Sequence, residues 1–290
     1  NVDVFFHSQL VPLDPGVIYT SVFISFALFY FIQLEIKNLF EKTAIFVLSF
    51  FIFLLSSKSI ITIDFIIIIY YYSFFAKIPK NTKTITIISV SIFLFSSILF
   101  VKEVKERFLI EYETAFIDNT LNNELSAQKG YIYNVSINEA WNKKDFHHNS
   151  FFPGTAMRVY QIRIFFEIVR EQGIFLKGLG IENSQKEIRK KSIQYNLSPA
   201  YGEYNFHNQY IQTYVELGIV GFVILILMLI LNFISALKQK DFLHIAFAIT
   251  MIVLFLSESF FCRQRGIVYF IVLYCIFNSI KKQNKLIKTV

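Results

Sequence analysis

Cysteine is nearly absent from the chain, with two in 290 residues. Cys262 and Cys275 build no disulfide framework and show no Cys/His spacing of a metal site. Internal repeats and low-complexity tracts are missing too, apart from Ile- and Phe-rich apolar runs, so solenoids and extended disordered segments are excluded. No basic segment leads into an apolar run at the start, and no signal peptide is visible. The opening at Asn1, through His7-Ser8-Gln9 and Pro12-Leu13-Asp14-Pro15-Gly16, reads as the interior of a longer membrane protein, with further spans expected upstream.

What is present is apolar. Hydrophobic residues make up 54% of the chain, with 35 Phe, 16 Tyr and a mean hydropathy of +0.50. Several uninterrupted runs approach the length of a bilayer core, which a soluble domain of this size does not carry. We expect seven spans, near 17–34, 44–57, 60–76, 85–101, 212–236, 243–257 and 266–280. Each must be helical, because isolated strands cannot satisfy their backbone groups in lipid. The expected architecture is an all-α polytopic membrane protein. It has four spans in 1–101, one large and mostly helical loop in 102–211, and three spans with a tail in 212–290.

The formal charge of +7 would suggest nucleic acid in a soluble protein. Here the lysines cluster in short gaps: Lys37 and Lys42, then Lys77, Lys80 and Lys83, then Lys238 and Lys240, then Lys281, Lys282, Lys285 and Lys288. Every second gap is thus short and basic, the pattern of cytoplasmic loops. We therefore expect no nucleic-acid partner, membrane lipids as surroundings, and the large loop on the opposite, periplasmic side of a bacterial inner membrane. Asp64, inside the third span, is a costly group there, suggestive of a site or of pairing with another helix.

The large loop reads as ordered. It holds Trp141, many aromatics and a helix signal at 155–171. Ser184 with Glu187 has capping-box spacing for a second helix, and Gly178-Leu179-Gly180 marks a sharp turn between the two. The Arg189-Lys190-Lys191 run reads as a solvated helix end. Where the loop re-enters the membrane, His207-Asn208 is followed, after nine residues, by Gly218-Ile219-Val220-Gly221. An imidazole at a helix start can accept a proton near neutral pH, and the glycines would let the helix pack closely. The plainer reading is that His207 and Asn208 cap a helix. The nearby His148-Asn149 pair lacks the glycine at that spacing, since Val159 stands there.

This His-Asn, nine-residue, Gly-x-x-Gly pattern resembles the periplasmic signature of the O-antigen ligase and polymerase superfamily, which also holds some protein O-oligosaccharyltransferases. A second resemblance is Arg158 at the start of a loop helix, followed some twenty residues later by Gly178-Leu179-Gly180. The third is Leu54-Leu55-Ser56-Ser57-Lys58-Ser59, where the family often carries Ser-Arg. Lysine there keeps the charge but loses the guanidinium fork, and snorkelling to the interface is its plainer reading. The resemblance covers roughly 45–265.

The resemblance implies glycan transfer from an undecaprenyl-diphosphate-linked donor to a glycan or lipid A core acceptor. It implies His207 as the catalytic base, and Arg158, Lys58, Arg163 and Arg265 as candidate ligands of the pyrophosphate. Asn208, Gly218, Gly221, Gly178 and Gly180 would form the supporting motif. Arg163 has Glu167 at i+4 and is more easily explained as a local surface pair. Glu258, Arg263 and Arg265 crowd the last loop, lining a cavity or pairing together. No cofactor and no metal are expected, because the donor is already activated and the charges to be neutralised fall to cationic side chains. The alternatives are a protein O-oligosaccharyltransferase, a non-catalytic assembly subunit, and a polysaccharide transporter or flippase. The last would show repeated halves and midplane charges, where this sequence shows no repeat and a large ordered loop.

Overall fold

The computed structural model of the chain describes residues 16–55, 57–100, 109, 112–122, 125–126 and 130–287, with side chains 93–100 and 280–287 excepted. The polar opening through Pro15, Ser56, the first loop residues 102–108 and Lys288 lie outside the described residues. The chain is mostly helical and divides into two compact units. A helical unit comprises Asn1–Glu103, Met228–Leu254 and Phe261–Val290, and a loop unit comprises Val104–Leu227 and Phe255–Phe260.

Helices stand at all seven expected spans: α1 (Val17–Gln33), α2 (Leu39–Leu55), α3 (Lys58–Tyr70, continued by a π turn Tyr71–Phe75) and α4 (Lys80–Phe100). The other three are numbered after the loop helices: α8 (Gln209–Gln239), α9 (Phe242–Leu254) and α10 (Gln264–Ile287). Two segments among the described residues are long and apolar enough to cross a membrane, Lys58–Phe75 and Gln209–Gln239. Val17–Gln33 and Phe242–Leu254 are apolar but shorter. At 1.5 Å per residue they reach about 25 Å and about 20 Å, against a core of about 30 Å.

Within the helical unit, α1 packs on α2, α3 and α9. Phe242 at the start of α9 is the common aromatic contact of Phe29, Tyr71 and Phe75. Polar groups inside this unit find one another. Asp64 on α3 is buried, with the Ser25 hydroxyl of α1 at 2.6 Å from its Oδ2. His244 is fully buried, lies flat on Phe277 and places Nε2 2.9 Å from Asn232 Oδ1. Such pairs hold helices together where no water is available to satisfy them.

Among the described residues, the loop unit holds α5 (Ile137–Asn142), α6 (Gly154–Gln172), α7 (Asn183–Gln194) and the start of α8. It also holds a three-stranded sheet that the sequence did not announce. β1 (Thr120–Leu121) pairs antiparallel with β2 (Tyr133–Asn134), which pairs parallel with β3 (Ser150–Phe151). The expected helix at 155–171 is α6. Its buried face repeats at i+4 through Ala156, Tyr160, Ile164 and Ile168. These pack with Phe146, Phe152, Ile188, Leu197 and Phe206 into the loop core.

Helix α7 forms as expected but starts differently. Its N-cap is Glu182 in a left-handed conformation, without a side-chain cap, and Ser184 Oγ donates instead to Glu216 Oε1 at 2.7 Å. A capping box does exist, at Ser136 and Glu139 on α5.

The tie between α6 and α7 is ionic. Arg163 makes the expected pair with Glu167, but at 7% exposed it is buried rather than on the surface. Its Nε donates to Glu167 at 3.0 Å, its Nη1 donates to the Ala140 and Lys143 carbonyls, and its guanidinium lies over the Tyr195 ring. Lys191 is buried rather than solvated, and bridges Glu167 at 3.0 Å and Glu171 at 2.7 Å. Burial pushes the Glu167 carboxyl up, but hydrogen bonds from Tyr195, Lys191 and Arg163 outweigh it and hold it below the usual carboxylate range. Its stabilisation is therefore full above the ordinary carboxylate pKa of about 4.3 and is lost as pH falls through the lowered value. Glu167→Gln leaves Lys191 and Arg163 under-compensated. The expected cost is on the order of 3 kcal/mol at neutral pH, with a shallower acid limb, read from thermal melts across a pH series.

Candidate active site

Arg158 and Gln161 lie one helical turn apart on α6, facing the segment that leads into α8. Gln161 is fully buried and its amide donates to the Asn205 carbonyl. The Asn205 side-chain oxygen in turn accepts the His207 backbone N–H at 2.8 Å. His207 has φ of 45°, a left-handed conformation uncommon outside glycine, and is held there by this Asx turn. Its ring meets Tyr204 edge-on, and its Nδ1 stands 3.6 Å from Glu258 Oε2. Glu258 is only 7% exposed, whereas about a third of the His207 side chain remains open.

Asn208 is the helix cap. Its Oδ1 accepts the Ile211 N–H at 3.0 Å, meeting one of the unpaired donors of the first turn of α8. It also binds the 255–260 segment. Its backbone N–H donates to Ser259 Oγ at 3.1 Å, and its Nδ2 donates to the Leu256 carbonyl at 3.2 Å. The Gln209 N–H donates to the Phe255 carbonyl at 2.8 Å. Arg158 Nη2 reaches the Ser257 carbonyl of the same segment, at 3.5 Å. One short stretch thus carries the carboxylate beside His207 and the carbonyl beside Arg158.

The two arginines of α6 differ in what occupies them. Arg163 makes donor contacts of 3.0, 3.3 and 2.6 Å and a ring contact, all internal to the loop core. Arg158 makes only two longer contacts to carbonyl oxygens, at 3.2 and 3.5 Å, and its buried Nε–H has no partner among the described residues. Arg158 therefore keeps donor capacity for an oxygen-rich ligand, whereas the contacts of Arg163 engage it within the loop core.

The glycines of both motifs meet one another. α8 breaks at Gly218, with φ of 67° and ψ of −165°. The break frees backbone groups that the 174–180 turn satisfies. Leu179 N–H donates to Val215 O at 2.7 Å, Gly180 N–H to Glu216 O at 2.9 Å, and Ile219 N–H to Phe175 O at 2.9 Å. The approach excludes side chains. A Cβ on Gly178 would stand 2.5 Å from the Glu216 carbonyl, and one on Gly218 only 2.2 Å from the Leu176 oxygen. Gly218 therefore receives a loop, where helix packing was expected, and a Cβ on Gly221 would meet its own Leu217.

Lys58 and Arg265 belong to the helical unit. Lys58 is the first residue of α3, after Ser57 at the N-cap. The Arg265 guanidinium lies over the Tyr19 ring, 5.3 Å from its centroid. His148 and Asn149 are exposed, apart from this constellation. Among the described residues no group of three or more His, Cys, Asp or Glu is placed to hold a metal ion.

The O-antigen ligase family model matches residues 43–226. The chain belongs to the O-antigen ligase family. The match takes in Lys58, Arg158, Gly178, Gly180, His207 and Gly218, and stops short of Glu258 and Arg265. No curated protein matches the chain. This O-antigen ligase relative is thereby a membrane protein of a family whose members carry out glycosyl transfer of the ligase and polymerase kind.

Sequence reasoning placed Glu258 only with Arg263 and Arg265, lining a cavity or pairing, and did not find Gln161, Asn205 or Ser259. Their partners lie between 44 and 51 positions away along the chain, beyond any local spacing rule. The glycine geometry sets an order of costs. Gly178→Ala and Gly218→Ala combine left-handed backbone with a main-chain clash, whereas Gly180→Ala would meet only the Asn183 side chain at 3.3 Å. Thermal melts in detergent should show the first two losing more stability than the third, which should lose about 1–3 kcal/mol from backbone strain.

Proposed function

We propose that the protein transfers a glycan from an undecaprenyl-diphosphate carrier to an acceptor hydroxyl at the periplasmic face of a bacterial inner membrane. In this reading all seven apolar helices cross the bilayer and the loop unit faces the periplasm. The basic gaps around Lys37, Lys77 and Lys238 support that orientation. The observation that carries the proposal is the placement of His207 against buried Glu258, with Arg158 held on the same 255–260 segment.

The roles follow from the chemistry. The acceptor oxygen attacks the anomeric carbon, the bond from that carbon to the phosphate oxygen breaks, and the pyrophosphate leaves on its carrier. His207 takes the acceptor's proton, and Glu258 orients the ring and balances the imidazolium that forms. Arg158 donates to the departing pyrophosphate with the capacity its internal contacts leave over. Arg163 serves by holding α6 to α7. Asn208, with Gly178 and Gly218, fixes the start and the break of α8.

Family membership supports the reaction class, and the acceptor separates a ligase from a polymerase. The test follows surface glycan in the source bacterium after deletion of the full-length gene, restored with wild type or with His207→Ala. Wild type should rescue and His207→Ala should fail, since loss of a general base costs about 10²–10⁴-fold in rate. Long chains stranded on the lipid carrier would mark a ligase, and single repeats a polymerase. An unchanged glycan profile, or full rescue by His207→Ala, would overturn the proposal.

A further inference from the structure

Phe175 and Leu176 are 58% and 62% exposed, and Ile181 is 73% exposed. These are large apolar side chains at the tip of a turn that is firmly built. Ile174, just before them, is buried in the loop core, and Gly178 N–H closes back on its carbonyl. Burying a side chain of this size contributes roughly 1.5–3 kcal/mol, so three left open together indicate a missing surface.

The turn's position identifies that surface. Its backbone is bonded to α8 at Val215, Glu216 and Ile219. Glu216 is the last charged residue before the apolar run that makes Gln209–Gln239 long and apolar enough to cross a membrane. Leu217 and Val220, where that run begins, are themselves exposed. Two open apolar surfaces, one on the turn and one on the helix, thus start at the same level and are joined by main-chain hydrogen bonds. Lipid that reaches Val220 also reaches Phe175. Lys177, exposed between Leu176 and Gly178, suits the boundary, with its stem along the apolar tip and its ammonium among anionic headgroups.

We propose that the 175–181 turn inserts into the bilayer leaflet on the loop side, as an interfacial wedge that sets the depth of the active site. The inference rests on α8 crossing a membrane, and not on the glycan-transfer reading. The insertion level, at Gly218, lies nine residues along α8 from its start at Gln209, or roughly 14 Å at helical rise, with His207 two residues before that start. The wedge would therefore hold the histidine above the acyl region, at a height where a lipid-borne headgroup stands.

The chain's one tryptophan makes the test direct. Trp141→Phe combined with Phe175→Trp gives a single reporter in the full chain, reconstituted in nanodiscs of phosphatidylcholine and phosphatidylglycerol. Chain-brominated phosphatidylcholine should quench its emission roughly twofold or more, and aqueous acrylamide should have little effect. Ile181→Trp gives the same readout should the first variant not fold. A companion Val220→Trp reporter monitors α8 itself. Quenching by bromolipid at Val220 but not at Phe175 or Ile181 would overturn the wedge alone. Acrylamide quenching at the turn, or protection from both quenchers as in a contact with a second copy, would also overturn it. Absence of bromolipid quenching at all three positions would remove the membrane premise with it.

Discussion

Asn208 binds in three directions, and the rest of the site depends on it. Its side-chain oxygen caps α8, its amide nitrogen holds the Leu256 carbonyl, and its backbone N–H holds Ser259. Each bond by itself contributes about 1 kcal/mol. Together they fix the six-residue segment that sets Glu258 against His207 and offers the Ser257 carbonyl to Arg158. The capping reading of the His-Asn pair thus holds for Asn208, through its bond to the Ile211 N–H. The asparagine does the structural work, and it leaves the histidine ring directed at a buried carboxylate.

A second constraint is the backbone of α8. A span cannot leave broken hydrogen bonds facing lipid, because an unsatisfied peptide group there costs several kcal/mol. The break at Gly218 is tolerated because the 174–180 turn supplies donors and an acceptor of its own. The two glycine motifs are one device. Gly178 and Gly218 have no room for a Cβ because Gly178 is pressed against the main chain of Glu216 and Gly218, and Gly218 against that of Leu176 and Lys177. The loop helix carrying Arg158 and the helix entered through His207 are locked in register at this crossing.

The apolar runs were legible because their length and composition are local properties of the sequence, and each became a helix. Helix α6 was legible from its periodicity. The sheet was not, since strands of two residues are too short to show alternation. Ser184 kept its helix but lost its expected capping role, because Glu216, 32 positions away, takes its hydroxyl. Arg163 and Lys191 looked like surface charges for the same reason. Their partners Tyr195, Glu167 and the Lys143 carbonyl come from other elements, and only the fold makes the pairs buried. Of the site, His207 and Arg158 carried recognisable surroundings in sequence. Glu258 did not, because nothing near it along the chain announces a histidine 51 positions earlier.

The central claim is that Glu258 acts through His207. A double-mutant cycle on transfer rate in reconstituted vesicles tests it most directly, using His207→Ala, Glu258→Gln and the pair together. Coupled residues that act as one unit are strongly non-additive. Glu258→Gln is expected to slow the chemical step in the otherwise intact protein and to cost almost nothing further once His207 is alanine. Equal, multiplying losses in both backgrounds would show that the carboxylate works independently of the histidine, and would contradict the account.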